Sequence, residues 1–138
     1  MEQEKIISNF KDSIYATGRR KTSIAKVWLK KGSGKISVNG KDYVQYFKRA
    51  NHQMKLLRPL EIIEQPNNYD VKCNVKGGGL TGQVGAMVHG ISKALILFDS
   101  GFKSILKKEK LNTRDSRAVE RKKYGRRKAR RSFQFSKR

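Results

Sequence analysis

The sequence predicts a small α+β domain followed by a long basic tail, and three observations carry that reading. Period-two alternation marks strands as far as Lys76, an amphipathic helix with apolar residues at spacings of 4, 3, 4 and 3 follows them, and apolar periodicity stops near Lys110. Strands precede helices, the order of an α+β fold. With 138 residues, 36% of them hydrophobic, the chain supports one compact domain with a modest core.

Ala25, Val27 and Leu29 alternate with Lys26, Trp28 and Lys30, the pattern of a half-buried strand. Ile36 and Val38 form a second short strand, and Gly32-Ser33-Gly34 between the two predicts a hairpin. Asn39-Gly40 turns the chain again. Asp42 is placed to N-cap a short helix through Tyr43, Val44 and Phe47, and a second helix over Ala50 to Leu57 is expected to stop before Pro59. Residues 64–68 read as a loop. Tyr69, Val71, Cys73 and Val75 then alternate strictly with Asp70, Lys72, Asn74 and Lys76, the clearest strand signal in the chain. Cys73 falls on its apolar face and reads as a buried, inert thiol. Val84, Val88, Ile91, Leu95 and Phe98 form one helix face, Gly101 is its expected exit, and a short helix from Phe102 to about Lys110 closes the folded part.

Charge narrows the function. The chain holds 33 Lys and Arg against 11 Asp and Glu, a formal net charge of +22, and self-repulsion of that size opposes a compact free monomer. A polyanion, with nucleic acid the leading candidate, is the expected partner. The longest apolar run, Ala94 to Phe98, is far below the roughly 18 to 20 residues a membrane span needs, so no membrane role is expected. The acidic start Met1-Glu2-Gln3-Glu4 has neither the apolar core of a secretion signal nor the Arg-rich character of a transit peptide, so the chain as given is expected to act where it is made. A single cysteine permits no internal disulfide and no CxxC zinc site, in keeping with a reducing compartment.

Gly77-Gly78-Gly79-Leu80-Thr81-Gly82 contains a literal GxGxxG between a strand and a helix, and Asp99 lies 20 residues beyond Gly79. A dinucleotide site also needs a parallel strand after that helix, and the basic sequence from Ser100 onward offers none, so no cofactor is expected. Two readings of the loop stay open: an anion site, in which Gly78 and Gly79 let an RNA phosphate approach the helix amides, and a tight turn without a ligand. His52 and His89 have no partners at metal-ligand spacing, GxSxG is absent, and neither a metal nor an enzyme active site with a small-molecule substrate is predicted. Arg19, Arg20 and Lys21 stand together at what reads as a glycine-marked turn before a strand, where phosphate contact is favoured over a merely solvated loop.

The tail is the strongest signal. Residues 103–138 carry net +13, and Arg117, Arg121-Lys122-Lys123, Arg126-Arg127-Lys128 and Arg130-Arg131 recur with Tyr124, Phe133 and Phe135 among them. Arginine forks grip phosphates bidentately, and rings or guanidinium planes stack on unpaired bases. Histone-like and localisation tails usually favour Ala, Ser, Pro and Gly, and this tail does not.

These motifs together carry a family resemblance. Tyr15-Ala16-Thr17-Gly18-Arg19-Arg20-Lys21-Thr22, Gly34-Lys35-Ile36-Ser37-Val38-Asn39-Gly40, Val75 through Gln83 and His89-Gly90-Ile91-Ser92-Lys93-Ala94-Leu95 resemble small-subunit ribosomal protein nine, the universal S-nine family. The tail segments Arg114-Asp115, Val119 to Gly125, Lys128 to Arg131 and Phe133 to Arg138 resemble its bacterial and organellar branch. Ser132 departs from the proline often found near that position in the family. The likeness spans about Ser13 to Arg138.

The resemblance implies a two-layer sheet-and-helix domain like the second domain of ribosomal protein S-five, on the head of the small subunit. It implies an N-terminal extension over 1–12, a globular RNA-binding domain over 13–110, and a tail over 111–138 threaded through ribosomal RNA. Neighbouring head proteins are implied partners, and Ser136, Lys137 and Arg138 are implied to touch transfer RNA in the peptidyl site. The implied setting is a bacterial-type cytoplasmic ribosome or, alternatively, a mitochondrial one. On the residues alone, a nucleoid-type DNA-binding protein is the competing reading.

Overall fold

A computed structural model of the chain describes residues 11–136; the extension expected over 1–12 therefore lies almost wholly outside the described residues. Among the described residues nine elements follow in order: β1 (Ile14–Arg20), β2 (Ser23–Lys31), β3 (Ile36–Val38), β4 (Lys41–Asp42), α1 (Tyr43–Tyr46), α2 (Ala50–Ile62), β5 (Tyr69–Lys76), α3 (Leu80–Phe98) and α4 (Phe102–Lys108). The strands form one mixed sheet in the order β1-β2-β5-β3-β4, so the α+β expectation agrees with the structure. Residues 111–136 contain no helix or strand.

Alternation decides which face of the sheet is covered. Ala25, Val27 and Leu29 of β2 and Val71, Cys73 and Val75 of β5 are buried, while Lys26, Asn74 and Lys76 between them are exposed. Helix α3 packs on the apolar face across β1 and β2, and α2 packs against α3. Cys73 is fully buried, and burial pushes its thiol pKa far above the ordinary value, in agreement with an inert structural role.

Helix α3 lies unusually close to β1. A Cβ on Gly18 would stand 1.8 Å from the Ala86 carbonyl oxygen, and one on Gly90 would stand 2.6 Å from Val27 Cγ2 and 3.1 Å from the Gly18 nitrogen. Strand and helix therefore meet backbone to backbone. Lys93 Nζ donates to the Thr17 carbonyl at 2.9 Å beside this contact.

Three expectations need correction. Residues Arg19 and Arg20 end a strand rather than occupying a turn; only Lys21 and Thr22 turn the chain, with Lys21 at φ 52°. The apolar pattern of β1 announces a strand only weakly, because alanine and glycine follow Ile14 at its inward positions and α3 leaves no space for a side chain at Gly18.

The second correction concerns β2 and β3, which do not form the expected hairpin. Strand β3 instead pairs parallel with β5, on the side away from β2. Asp70, at the start of β5, explains the detour: its Oδ1 accepts the backbone N–H groups of Ser33, Gly34 and Lys35 at 2.9, 3.1 and 3.0 Å. The loop is thus carried over the end of β5. A Cβ on Gly32 would stand 2.1 Å from the same carboxylate, so glycine is needed there to pass it. Beyond Val38, the Asn39 side chain extends the β3–β5 pairing by accepting from the Val75 N–H (2.8 Å) and donating to its carbonyl (3.1 Å).

The third correction is α2, which runs through Pro59 to Ile62. An interior proline costs about 3 kcal/mol through its missing N–H and its ring. Leu60 and Ile63 reach the core only if the helix continues, and burying each contributes roughly 2 kcal/mol. Packing outweighs the breaker. Asp42 does occupy the cap position of α1, although its side chain makes no capping hydrogen bond.

Replacing Gly18 with alanine drives a methyl group into the α3 backbone. Gly18→Ala is expected to lower stability by about 3 kcal/mol, the upper part of the range for overpacking, whereas Gly40→Ala meets no neighbour and suffers only its positive φ. Urea unfolding followed by circular dichroism checks both; an equal midpoint for Gly18→Ala and the unmodified chain contradicts the close-contact account.

Candidate nucleic-acid interface

The same close packing gathers the candidate residues of the globule at one end of the sheet. The Lys21-Thr22 turn sits against the glycine loop that links β5 to α3: a Cβ on Gly77 would stand 2.8 Å from the Thr22 carbonyl oxygen, and one on Gly78 would stand 2.2 Å from Ser23 Oγ. Gly77 and Gly78 both take positive φ, 80° and 65°. The loop is held from within, since the Gly77 carbonyl accepts from Ser23 Oγ (2.9 Å) and from Gln83 Nε2 (3.2 Å). Gln83 is fixed in turn by the Tyr46 hydroxyl, which donates to its Oε1 at 2.8 Å.

Gly79 is the N-cap of α3 and brings no side chain to cap it. The first-turn amides of a helix have no intrahelical partners, and the helix dipole makes that end favourable for an anion. Gly78 and Gly79 are exposed, and the Lys21 side chain passes close by, with its Cδ 3.8 Å from where a Gly82 Cβ would be. Cation, loop and helix end thus adjoin one another.

Arg20 has a different position from its neighbours. Arg19 and Lys21 are exposed, but Arg20 is only 23% exposed, lying across α3 at Gly85, where a Cβ would stand 2.2 Å from its Cδ. Its Nη2 approaches Asp115 Oδ2 at 3.6 Å. Asp115 also accepts both the Nε and Nη2 groups of Arg117, at 3.0 and 2.7 Å, and its backbone N–H at 3.0 Å. Those bonds hold the Asp115 carboxyl well below the usual carboxylate range.

The root of the tail is therefore attached to the globule. Leu111 packs on the core and donates its N–H to the Leu106 carbonyl at 3.0 Å. His89 on α3 accepts from the Arg19 N–H at its Nδ1 (3.5 Å) and also bonds the Asn112 backbone. Arg20, Lys21 and Arg117 line a small cleft of about 250 Å3 between globule and tail, with Ala118 and Val119 as its apolar wall. Sequence reasoning missed Asp115 and His89 as positioning residues, for their partners lie far along the chain.

The remaining tail cations stand apart from this cluster. Arg121, Lys122, Tyr124, Arg126, Arg127, Lys128, Arg130 and Arg131 are exposed, and Lys123 is half-buried. They meet mainly one another and Glu120, which accepts from Lys123 Nζ at 2.9 Å and from Arg130 Nε at 3.0 Å. Arg126 bonds Ser132, the Arg127 N–H reaches the Arg131 carbonyl at 2.8 Å, and the Arg127 guanidinium covers the Phe133 ring at 5.4 Å. Ser136 is exposed; Lys137 and Arg138 lie outside the described residues.

Cofactor chemistry finds no second support around the glycine loop. No strand follows α3 among the described residues, and Asp99 uses its Oδ1 to accept the Gly101 N–H at 2.9 Å. Among the described residues no three His, Cys, Asp or Glu side chains come together as a metal site, and no helix is long and apolar enough to cross a membrane. The family described as ribosomal protein S9/S16 matches residues 18–138, which includes the turn, the glycine loop and the whole tail.

His89 gives the attachment a pH signature. Burial, chiefly, and then the charge of Lys93 hold its pKa below the ordinary 6.5, against the smaller raising effect of the Asn112 bond. The unfolded chain thus takes up a proton before the folded one does. Stability from this residue is complete above pH 6.5 and is lost as pH falls through the lower folded value. Thermal midpoints across this range should fall on acidification in the unmodified protein and fall less in His89→Gln; parallel curves would remove His89 from the account.

Proposed function

The chain belongs to the ribosomal protein S9/S16 family, proteins of the small ribosomal subunit, and on that footing we propose that it is an RNA-binding structural protein of the small-subunit head. Membership implies a location in the ribosome, with ribosomal RNA and neighbouring ribosomal proteins as partners. One observation carries the finer reading: Lys21, the uncapped start of α3 at Gly79 and the Arg117 end of the tail adjoin one another at a single end of the sheet. Cations beside unpartnered amides are the chemistry of phosphate binding.

In this reading residues 13–110 form the RNA-binding globule, with the layering of the second domain of ribosomal protein S-five, and residues 111–138 thread into ribosomal RNA. Arg19, Lys21, Gly78 and Gly79 meet phosphates directly. Arg20 acts chiefly by fixing the tail root through Asp115. Arg117, Arg121, Lys122, Lys123, Arg126, Arg127, Lys128, Arg130 and Arg131 offset phosphate repulsion along the tail, and Tyr124 stacks on an unpaired base. Ser136, Lys137 and Arg138 contact transfer RNA in the peptidyl site, with the Arg138 guanidinium on a phosphate. The function is structural rather than catalytic, in a bacterial-type ribosome.

Two measurements test this reading. The purified protein should bind small-subunit ribosomal RNA with a steep salt dependence, because each neutralised phosphate releases roughly 0.7 to 0.9 counterions; a flat plot of log K against log salt sinks phosphate contact. Deleting Ser136 to Arg138 should leave incorporation into subunits unchanged and weaken transfer RNA in the peptidyl site. Unchanged peptidyl-site affinity in the truncated subunits would refute the role of the tail tip.

A further inference from the structure

Apart from Arg19 at its end, the sheet face opposite α3 has no role in the reading above. Its residues are fixed by the strand register. Tyr15 stands opposite Trp28, Trp28 opposite Lys72, and Lys72 opposite Ser37, so one row crosses four strands. The next row is Thr17, Lys26 and Asn74, and the one after it Arg19, Ile24 and Lys76. Along each strand these positions recur every second residue, about 6.6 Å apart. All are exposed or half-buried, in contrast to the buried residues of the other face.

Two aromatic rings lie on this surface, at its β1–β2 side. Tyr15 is 46% exposed, and its ring lies 5.3 Å from that of Trp28, centroid to centroid. Lys72 Nζ lies over the Trp28 ring at 5.7 Å. Lys26 stands in the row next to the pair, and Arg19 and Lys76 stand in the row beyond it. Asp70, the one carboxylate on this face of β5, is engaged by the backbone of residues 33–35. A groove of about 700 Å3 continues the surface toward β3 and β4, lined by the cations Lys30, Lys35 and Lys41, by Tyr43, and by the carboxylates Asp42 and Asp70.

An outward tryptophan and tyrosine among lysines has no value to the core, which lies on the other side of the sheet. Flat rings bordered by cations suit a strand whose bases are unpaired: bases stack on rings, the backbone follows the cations, and Thr17, Asn74 and Ser37 offer polar groups to base edges and 2′-hydroxyls. A paired helix presents no free base face. We propose that this open face is a second RNA site, a stacking platform for an unpaired segment centred on Tyr15 and Trp28. The proposal rests on the RNA-binding reading above and adds a site distinct from the turn, the glycine loop and the tail.

Trp28 is the only tryptophan in the chain, so its fluorescence reports on this face alone. The full-length protein is titrated with oligoadenylate, with an RNA duplex of equal length and with inorganic polyphosphate. Oligoadenylate is expected to quench Trp28, and the other two are expected to bind without comparable quenching. Tyr15→Ala, with folding checked by circular dichroism, should weaken oligoadenylate binding about tenfold, the size of one lost stacking partner. Equal quenching by polyphosphate overturns the proposal, since charge alone then explains the signal. RNA bound by filter retention without any Trp28 response also overturns it and leaves the tail reading standing, whereas no RNA binding at all removes both. In assembled subunits, ultraviolet crosslinking should yield nucleotide adducts on Tyr15 or Trp28. Crosslinks from that face to another ribosomal protein alone make it a protein interface and overturn the proposal.

Discussion

The backbone contact between β1 and α3 at Gly18 and Gly90 is the constraint on which the candidate interface depends. Two glycines let a helix rest directly on a strand, and everything near that contact is placed by it. It sets Lys93 on the Thr17 carbonyl, His89 beside Arg19, and Arg20 across the groove at Gly85. It also brings the start of α3 up to the Lys21-Thr22 turn. Because α3 occupies one face of the sheet so tightly, the polar positions of β1, β2 and β5 are left together on the other.

Carboxylates are scarce in a chain of net charge +22, and several of them have structural positions. Asp70 carries residues 33–35 across the end of β5 and thereby sets the sheet order. Asp99 turns the chain between α3 and α4, and Glu109 ties the end of α4 to Arg58 on α2 at 3.1 Å. Asp115 joins the tail to Arg20. Exposed ion pairs of this kind contribute little stability singly, so their importance lies in direction. The cations of Arg19, Lys21, Lys26 and Lys76 are exposed, and surface charge of one sign attracts a polyanion from solution.

Much of this was legible in the sequence, and the failures have physical reasons. Alternation revealed β2, β3 and β5, and helical spacing revealed α3, because each buries one continuous apolar stripe. Strand β1 was hidden, since a strand pressed against a helix backbone carries Ala16 and Gly18 where a pattern search expects valine or isoleucine. The parallel pairing of β3 with β5 depends on a carboxylate some 35 residues away in the chain, which no local turn rule contains. Pro59 gave the wrong stop for α2 because a local penalty was weighed without the tertiary burial of Leu60. At the candidate site, the basic runs and the glycine loop were evident as motifs. That Arg20 is committed to Asp115, and that the turn and the loop touch, became visible only when distant segments were brought together. The aromatic face was present in the text of the sequence as the polar half of the alternating strands, but alternation is usually read for its apolar half.

Glu120 has a consequence of another kind. By joining Lys123 to Arg130 it closes a short loop in the tail, and Asp115 does the same between Arg20 and Arg117. Under the proposed RNA-binding role, each carboxylate holds a position that a phosphate would take, and association would exchange one anion for another rather than capture a bare cation.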